Sequence, residues 1–207
     1  MTYSELVTQI KNFLEDDSTE FAGSIDAIIV QVEEMIFQRA PNLPCYRGTT
    51  AGNTVAGTVS YVIPTARMIR NFQITIGNNV TYLDHRIDSY LRDYWPNPAA
   101  TGVPKFYSTN SAAVAGTSIN LAPTPDIIYA YVADYIAPET GLSSGNPTTW
   151  ISTNAVNVLL SGCLYEASAF LKAPETLSLY KTQFDEAIAM LQEEMKRIYA
   201  AEYNGGI

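Results

Sequence analysis

The feature that most constrains the fold is a change of periodicity along the chain, from helical spacing at both ends to a strand-like pattern in the middle. Near the start, Thr2 with Glu5 three residues later is a capping-box pattern, and apolar residues then recur at three or four positions. A second helical stretch follows an acidic connection, with Ser24 as its predicted N-cap and Pro41 and Pro44 as its predicted stop. The first segment therefore predicts two amphipathic helices, each of which needs a partner surface.

The middle of the chain, from Arg47 to about Pro138, alternates turn-forming residues with short runs rich in β-branched and aromatic residues. Gly77-Asn78-Asn79 predicts a hairpin, because Gly and Asn tolerate positive φ. A short helix is predicted at 87–94. The predicted strands are 58–63, 67–76, 80–83, 114–121 and 127–136, the last of them well buried. Short strands of this kind usually close into a sandwich or a partial barrel.

Helical spacing returns after Pro147 and continues to the end of the chain. The stretch 158–171 is apolar almost all round, which favours a central and largely buried helix. Pro174 occupies a favoured first-turn position of a last helix that would reach on the order of 45 Å by Tyr203. The predicted fold class is therefore α+β, an antiparallel helical bundle from the N- and C-terminal segments with an inserted small antiparallel β sandwich or partial barrel.

The predicted domain organisation follows the same change of pattern. Residues 1–44 form the first part of the bundle, and residues 45–140 form the β-rich insertion. Residues 141–207 form the second part, with the long C-terminal helix and a tail.

The acidic charge is concentrated at the two ends of the chain. Of a formal net charge of −9, residues 1–40 hold eight acids and two bases, residues 41–149 six of each, and residues 150–207 seven acids and four bases. A protein that clamps a nucleic-acid backbone needs a net basic footprint, since neutralised phosphates supply the affinity. The sequence therefore argues against a DNA clamp, and any DNA passing near this chain is expected to be repelled.

Residues that carry catalytic chemistry are few and poorly placed in the sequence. His85, the one histidine, has Asp84 beside it and Asp88 three residues on, but no GxSxG-type signature supplies a nucleophile. Adjacent carboxylates such as Asp16-Asp17 and Glu193-Glu194 do not face one another on a helix. Residues 31, 33, 34, 38 and 39 are predicted to form a solvent-exposed face. No catalytic residue and no enzyme activity is predicted.

Cofactor, metal and membrane functions find no support in the sequence either. Cys45 and Cys163 are far apart and lack ligand spacing, so two buried thiols are expected. No glycine-rich phosphate-binding loop is present, so no cofactor is predicted. Apolar stretches are too short for a membrane span and no signal peptide opens the chain, which favours a soluble protein made in a reducing cytoplasm. Tyrosine supplies 14 of the 23 aromatic residues, which suits a protein interface.

Several short stretches, taken in order, resemble one known family. They are 3–7 (YSELV), 33–37 (EEMIF), 102–107 (GVPKFY), 121–126 (LAPTPD), 149–154 (TWISTN) and 158–167 (VLLSGCLYEA). In this order they resemble the head-to-tail adaptors of short-tailed bacteriophages, also called connectors or tail tubular protein A. The resemblance covers nearly the whole chain, and its specificity lies in the order of the motifs.

The resemblance implies a structural protein of the virion. Such adaptors form a ring, typically of about twelve copies, that docks under the portal, extends the DNA channel and carries the tail or nozzle proteins. Double-stranded DNA would pass through the channel without specific binding, and the protein would lie in the virion neck or tail after assembly in the host cytoplasm. Tyr199, Tyr203 and Ile207 are the predicted portal-docking residues, although the two tyrosines alternatively cover the end of the bundle.

Three other functions remain open at this level. One is another neck or tail component, such as a head-completion or tail-terminator protein. A particle-associated cell-wall hydrolase would use His85 and a nearby carboxylate. A cellular helical adaptor would stay a monomer or small dimer and ignore any portal.

Overall fold

The chain is a mixed α+β protein, with 46% of its residues in helices and 25% in strands, and most strand pairs are antiparallel. The structure is a computed structural model that describes residues 1–111 and 116–204. Contacts divide the chain into two compact units. The helical unit comprises Met1–Cys45 with Pro138–Ile207, and the β unit comprises Tyr46–Ala137.

The helical unit begins with two helices whose N-caps are set by local sequence. The capping box of α1 (Tyr3–Leu14) is confirmed, since Thr2 Oγ1 accepts the Glu5 N–H and Glu5 accepts the Thr2 N–H. The Ser24 cap predicted for the second helix is wrong, because α2 (Thr19–Arg39) starts at Ser18, whose Oγ accepts the Phe21 N–H at 3.3 Å. Phe21 is fully buried, so this additional first turn is stabilised by packing.

Three further helices complete the helical unit: α4 (Trp150–Asn154), α5 (Val156–Phe170) and α6 (Pro174–Asn204). As predicted, α5 is largely buried, and it packs against α1, α2, α4 and α6. The rings of Tyr165 and Phe184 stack at 6.4 Å, and Thr176 donates a hydrogen bond to Ser168 at 3.1 Å, so α5 and α6 run antiparallel. At Gly162 a side chain would collide with Val32 and Phe184, so glycine here allows close packing of α2 and α6 on α5.

The β unit contains two four-stranded sheets. The first sheet has the order β1-β10-β3-β4, and the second has the order β2-β8-β7-β5. A pair of two-residue strands, β6 and β9, and one helix, α3 (Asp88–Tyr94), complete the unit. The strand bounds are β1 Arg47–Asn53, β2 Ser60–Ile63, β3 Met68–Ile76, β4 Asn79–Tyr82, β5 Asp84–His85, β6 Thr101–Gly102, β7 Phe106–Ser111, β8 Thr117–Ala122, β9 Thr124–Pro125 and β10 Ala130–Ile136.

Pairing within the four-stranded sheets is antiparallel except between β5 and β7. A single buried cluster contains residues of both sheets, including Phe72 and Ile74 from β3 and Ile119 and Leu121 from β8. Tyr135 lies directly over Gly48 on the neighbouring strand, where any larger side chain would meet the ring. Glycine in β1 therefore makes room for the tyrosines of β10.

The strand predicted at 127–136 differs from the structure in length and in burial. The strand β10 covers only Ala130–Ile136, and Ile127 and Ile128 before it are exposed. Within β10 only Ala133 and Ile136 are buried, because one face of the first sheet points away from the core. The strand predicted at 114–121 corresponds to β8, and its first two positions lie outside the described residues.

Candidate docking site

The predicted docking residues belong to the last part of α6. Tyr199 is half-buried, and its hydroxyl donates a hydrogen bond to the Asn42 carbonyl oxygen at 2.5 Å. Tyr203 lies on the same helix, but its side chain and the whole of Ile207 lie outside the described residues. Tyr199 therefore covers the chain just after α2, and a role in docking stays a prediction.

A groove of about 270 Å³ lies beside Tyr199. We call it the α2–α6 groove. It forms because α2 ends at Arg39 and Pro41 turns the chain, after which Leu43 packs inward with 1% of its surface exposed. Met195 of α6 provides an apolar wall opposite. The lining residues are Arg39, Ala40, Pro41, Asn42, Leu43, Gln192, Met195, Lys196 and Tyr199.

Polar contacts from α6 hold the end of α2 in place. Gln192 donates a hydrogen bond to the Arg39 carbonyl oxygen at 2.6 Å, which satisfies one of the carbonyls that a helix end leaves unpaired. The Arg39 guanidinium pairs with Asp185 at 2.5 Å and lies 4.9 Å from the centre of the Phe184 ring. These contacts make the wall of the groove a preorganised surface.

The charged rim of the groove is internally paired. Lys196 lies 2.6 Å from Glu193 on the next turn of α6, and this hydrogen bond lowers the pKa of the Glu193 carboxyl. Together with the Arg39–Asp185 pair, this leaves an apolar floor between neutralised charges. Such a site suits an apolar or aromatic side chain of another protein better than a charged ligand.

The sequence did not predict this groove because its two walls, residues 39–43 and residues 192–199, lie far apart in the chain. The sequence feature that could have predicted the groove is Leu43, an apolar residue between Pro41 and Pro44 just after a predicted helix. Met195 and Tyr199, four residues apart on α6, supply the facing stripe. Nothing in the local sequence says that these two segments meet.

Of the predicted solvent-exposed face, Arg39 is exposed as expected, but the assignment of Glu33 to it is wrong. Its carboxylate accepts the Leu142 N–H at 3.0 Å, next to Gly141, where any side chain would touch it. Burial raises the pKa of the Glu33 carboxyl, and the nearby Glu139 raises it further. Glu139 itself accepts the Trp150 N–H at 3.4 Å, and burial raises its pKa as well. The two carboxylates therefore accept hydrogen bonds from the backbone of the segment that leads, along the chain, from residue 138 to the start of α4.

His85, the residue required by the hydrolase alternative, is exposed in β5. Its Nε2 lies 3.1 Å from the Thr109 hydroxyl, and its ring is 5.0 Å from the ring of Tyr107. The Asp88 carboxylate is occupied elsewhere, accepting hydrogen bonds from Arg92, Ser108 and Asn120. The hydrogen bond from Arg92 is the main reason that the pKa of Asp88 is lowered. The structure therefore does not bring His85 and Asp88 together as a pair.

Neither metal binding nor membrane insertion gains support from the described ranges. Between residues 1 and 111 and between 116 and 204, no three His, Cys, Asp or Glu side chains are grouped so that they could hold a metal ion. Over the same part of the chain, no helix has the length and apolarity needed to cross a bilayer. Cys163 is buried and Cys45 half-buried, and no disulfide joins them.

The β unit presents exposed tyrosines on α3. Tyr90 and Tyr94 stack on each other at 6.2 Å, and both meet the Phe106 ring edge-on. The Arg86 guanidinium lies 5.6 Å from the centre of the Tyr90 ring. Each of the two tyrosines keeps about two fifths of its surface exposed, at 42% and 41%. This arrangement agrees with the hypothesis that tyrosine serves protein interfaces here.

Comparison with protein-family models gives a match over almost the whole chain. The family model described as SU10 adaptor protein matches residues 1–204, which include both the helical unit and the β unit. No curated protein matches the sequence.

Proposed function

This chain belongs to the SU10 adaptor protein family, a phage head-to-tail adaptor family, and from that premise we propose that it forms the adaptor ring between portal and tail. The family makes it a structural phage protein of the virion neck. The observation that carries the proposal is the length of the family match, which covers residues 1–204.

The proposed ring contains about twelve copies and docks under the portal after the head is filled. It extends the DNA channel, helps to retain the genome and provides the platform on which tail or nozzle proteins assemble. Assembly takes place in the host cytoplasm. A ring of this kind needs two different complementary side faces on each subunit, because its contacts are head-to-tail.

Charge supports a channel that does not hold DNA. The helical unit contains 16 acids and 6 bases, a net charge of −10, and the β unit contains 5 acids and 6 bases, a net charge of +1. Neither unit has the basic excess that would bind phosphates and arrest the duplex. Double-stranded DNA would therefore slide past this protein without specific contacts.

We place portal docking at the α2–α6 groove and the end of α6. The groove has an apolar floor, and its charges are paired within the chain, so that an apolar side chain of the portal could enter without leaving a buried charge unpaired. Tyr199 forms one wall, and Tyr203 and Ile207 follow it along the chain.

The proposal includes an architecture for each unit. The helical unit is an antiparallel bundle built from the two ends of the chain, supported by the packing of α5 against four other helices. The β unit is a small sandwich, supported by a buried cluster that both four-stranded sheets share. Each unit would then fold as a domain with its own core.

The experiment that tests the function is native mass spectrometry, with particle imaging, of the purified protein alone and mixed with its cognate portal ring. We expect a closed ring near twelve copies, either alone or only on the portal. A monomer that ignores the portal would refute the adaptor proposal. Binding to a tail tube without binding to a portal would favour another neck or tail component.

Two substitutions on α6 test the docking site itself. Tyr199→Ala should weaken portal binding by at least about tenfold, which corresponds to ~1.4 kcal/mol. Met190→Ala is the matched control, since Met190 lies on the same helix with 72% of its surface exposed and outside the groove. If Tyr199→Ala lowers the melting temperature and leaves portal affinity unchanged, Tyr199 only covers the end of α2.

A further inference from the structure

The first sheet of the β unit has two edges that no strand among the described residues covers. In the order β1-β10-β3-β4, the strands β1 and β4 are paired on one side only. An uncovered edge presents backbone N–H and C=O groups that can pair with another strand. The two edges differ in sequence, so they could form the two complementary sides of a repeating contact.

The outward-facing groups of β4 follow from its hairpin register. Ile76 opposes Asn79 across the Gly77-Asn78 turn, and residues along an antiparallel pair alternate between facing the partner and facing away. The Leu83 N–H donates to the Phe72 carbonyl oxygen at 2.9 Å, which fixes the same alternation from the other end. The N–H and C=O groups of Val80 and Tyr82 therefore point to the open side.

The same alternation sets the open side of β1. The Thr54 N–H donates to the Tyr129 carbonyl oxygen at 2.8 Å, and the Ala137 N–H donates to the Tyr46 carbonyl oxygen at 2.9 Å. Even-numbered residues of β1 therefore face β10, and the odd-numbered ones turn their backbone groups outward. The outward residues within the strand are Arg47, at its start, and then Thr49, Ala51 and Asn53.

The two edges carry few of the features that usually protect an edge strand. Natural edges are blocked by lysine, proline, bulges or very short strands. The strand β1 has seven residues, and its one charged residue, Arg47, stands at its start. The strand β4 contains no charge and no proline, and all four of its residues are exposed, including Val80 at 57% and Tyr82 at 66%. Exposed apolar residues on an uncharged edge indicate a strand that pairs with another chain.

The occupant that fits is a second copy of this chain. Each neighbouring pair in β1-β10-β3-β4 is antiparallel, so β1 and β4 run in opposite directions. We propose that β4 of one copy pairs with β1 of the next, which continues the first sheet from subunit to subunit in the antiparallel sense. Because the two edges are different, the contact is head-to-tail and can close a ring. This inference rests on the proposed function, since it names the surface through which the ring assembles.

Charge favours contact through the β unit. Two helical units, each with a net charge of −10, repel each other, whereas two β units at +1 hardly do. A contact between β1 and β4 brings together uncharged strand segments, from Gly48 to Asn53 and from Asn79 to Tyr82. Backbone pairing there needs no desolvated charge.

The test uses proline, which removes one outward N–H from each edge. Val80→Pro and Ala51→Pro each remove a backbone N–H that points to the open side of the sheet. Edge strands accept proline at such positions. Val80→Thr and Ala51→Thr are the matched controls, because they keep the N–H. The full chain is measured by native mass spectrometry, alone and on the portal ring. The fraction of protein found in assemblies should be about tenfold lower for each proline variant than for its threonine control. Circular dichroism and melting curves identify a proline variant that has failed to fold. The lysine variant at the same position, Val80→Lys or Ala51→Lys, then replaces it, because lysine also blocks an edge strand.

Mixing the two proline variants separates the possible contacts. A copy with a blocked β1 and a copy with a blocked β4 share one intact contact, so the mixture should form mixed dimers and stop there. A symmetric β4–β4 dimer that only Val80→Pro disrupts would overturn the inference. Rings that form normally from both proline variants would overturn it while the adaptor proposal stands. A wild-type monomer that ignores the portal would refute both proposals.

Discussion

Gly162 offers the sharpest test of how the helical unit is packed. It lies on α5, and a Cβ at this position would sit 2.6 Å from Val32 Cγ1 and 2.8 Å from Phe184 Cε2. Both neighbours are fully buried. Because Val32 is β-branched and Phe184 is held by the rings and charges around it, neither side chain can rotate away. Gly162→Ala should therefore destabilise the unit.

Two opposing effects determine the size of the change. Alanine in a helix is favoured over glycine by about 1 kcal/mol. Overpacking a well-filled core costs about 1–3 kcal/mol, and two contacts below 3 Å in a fully buried place put this site at the upper end. The net loss should be about 1–2 kcal/mol, or ~2–8 °C in melting temperature for a chain of this size.

Gly23→Ala is the matched control. Gly23 lies in α2, and its added Cβ would meet no atom within 4 Å, so the helix gain of about 1 kcal/mol stands alone. Urea unfolding followed by circular dichroism at the helix band compares the two variants with the wild type. If both alanine variants are stabilised alike, the close approach of α2 and α6 at Gly162 is refuted.

Three further predictions concern single polar groups. Thr149→Ala removes the acceptor for the Ser152 N–H at the start of α4, which should cost about 1 kcal/mol in urea unfolding, while Thr149→Ser should restore most of it. Burial raises the pKa of the Glu33 carboxyl above its ordinary value of 4.5, so between the unfolded and the folded pKa the folded chain holds a proton that the unfolded chain has lost. The free energy of unfolding should therefore fall as pH rises from the unfolded to the folded pKa, and Glu33→Gln should remove this part of the pH dependence. An unchanged slope just above pH 4.5 would contradict the burial of Glu33. Tyr199→Phe removes the hydrogen bond to Asn42 and should lower the free energy of unfolding by about 0.5–1.5 kcal/mol in the same assay. An unchanged free energy of unfolding would mean that the Tyr199 hydroxyl bonds only to water.

Local signals predicted the elements whose ends depend on nearby residues. The capping box of Thr2 and Glu5 and the start of α6 at Pro174 needed no distant contact, and both are confirmed. The short helix α3 and the buried helix α5 also followed from local pattern. The α2 start was missed because Ser24 has the residue type of a cap, whereas burial of Phe21 extends the helix by another turn.

Strands were predicted less well because pairing partners supply part of their stability. The strand β1, with the sequence RGTTAGN, reads locally as a turn-rich segment, and it is a strand because β10 pairs with all seven of its residues. Its glycines accept the rings of Tyr131 and Tyr135, a requirement that only the neighbouring strand reveals. Likewise, 127–136 was predicted as a buried strand because its composition is apolar, but composition does not say which face points outward.

The sequence by itself determined the α+β class, the acidic ends, the lack of a catalytic signature and the adaptor family, since these depend on composition, local periodicity and the order of motifs. Only the tertiary structure decided that Glu33 turns inward to Leu142, that Leu43 and Met195 enclose a groove, and that β1 and β4 are the end strands in the order of the first sheet. Each of these depends on residues far apart in the chain, which are brought together by the burial of apolar surface that local periodicity does not encode.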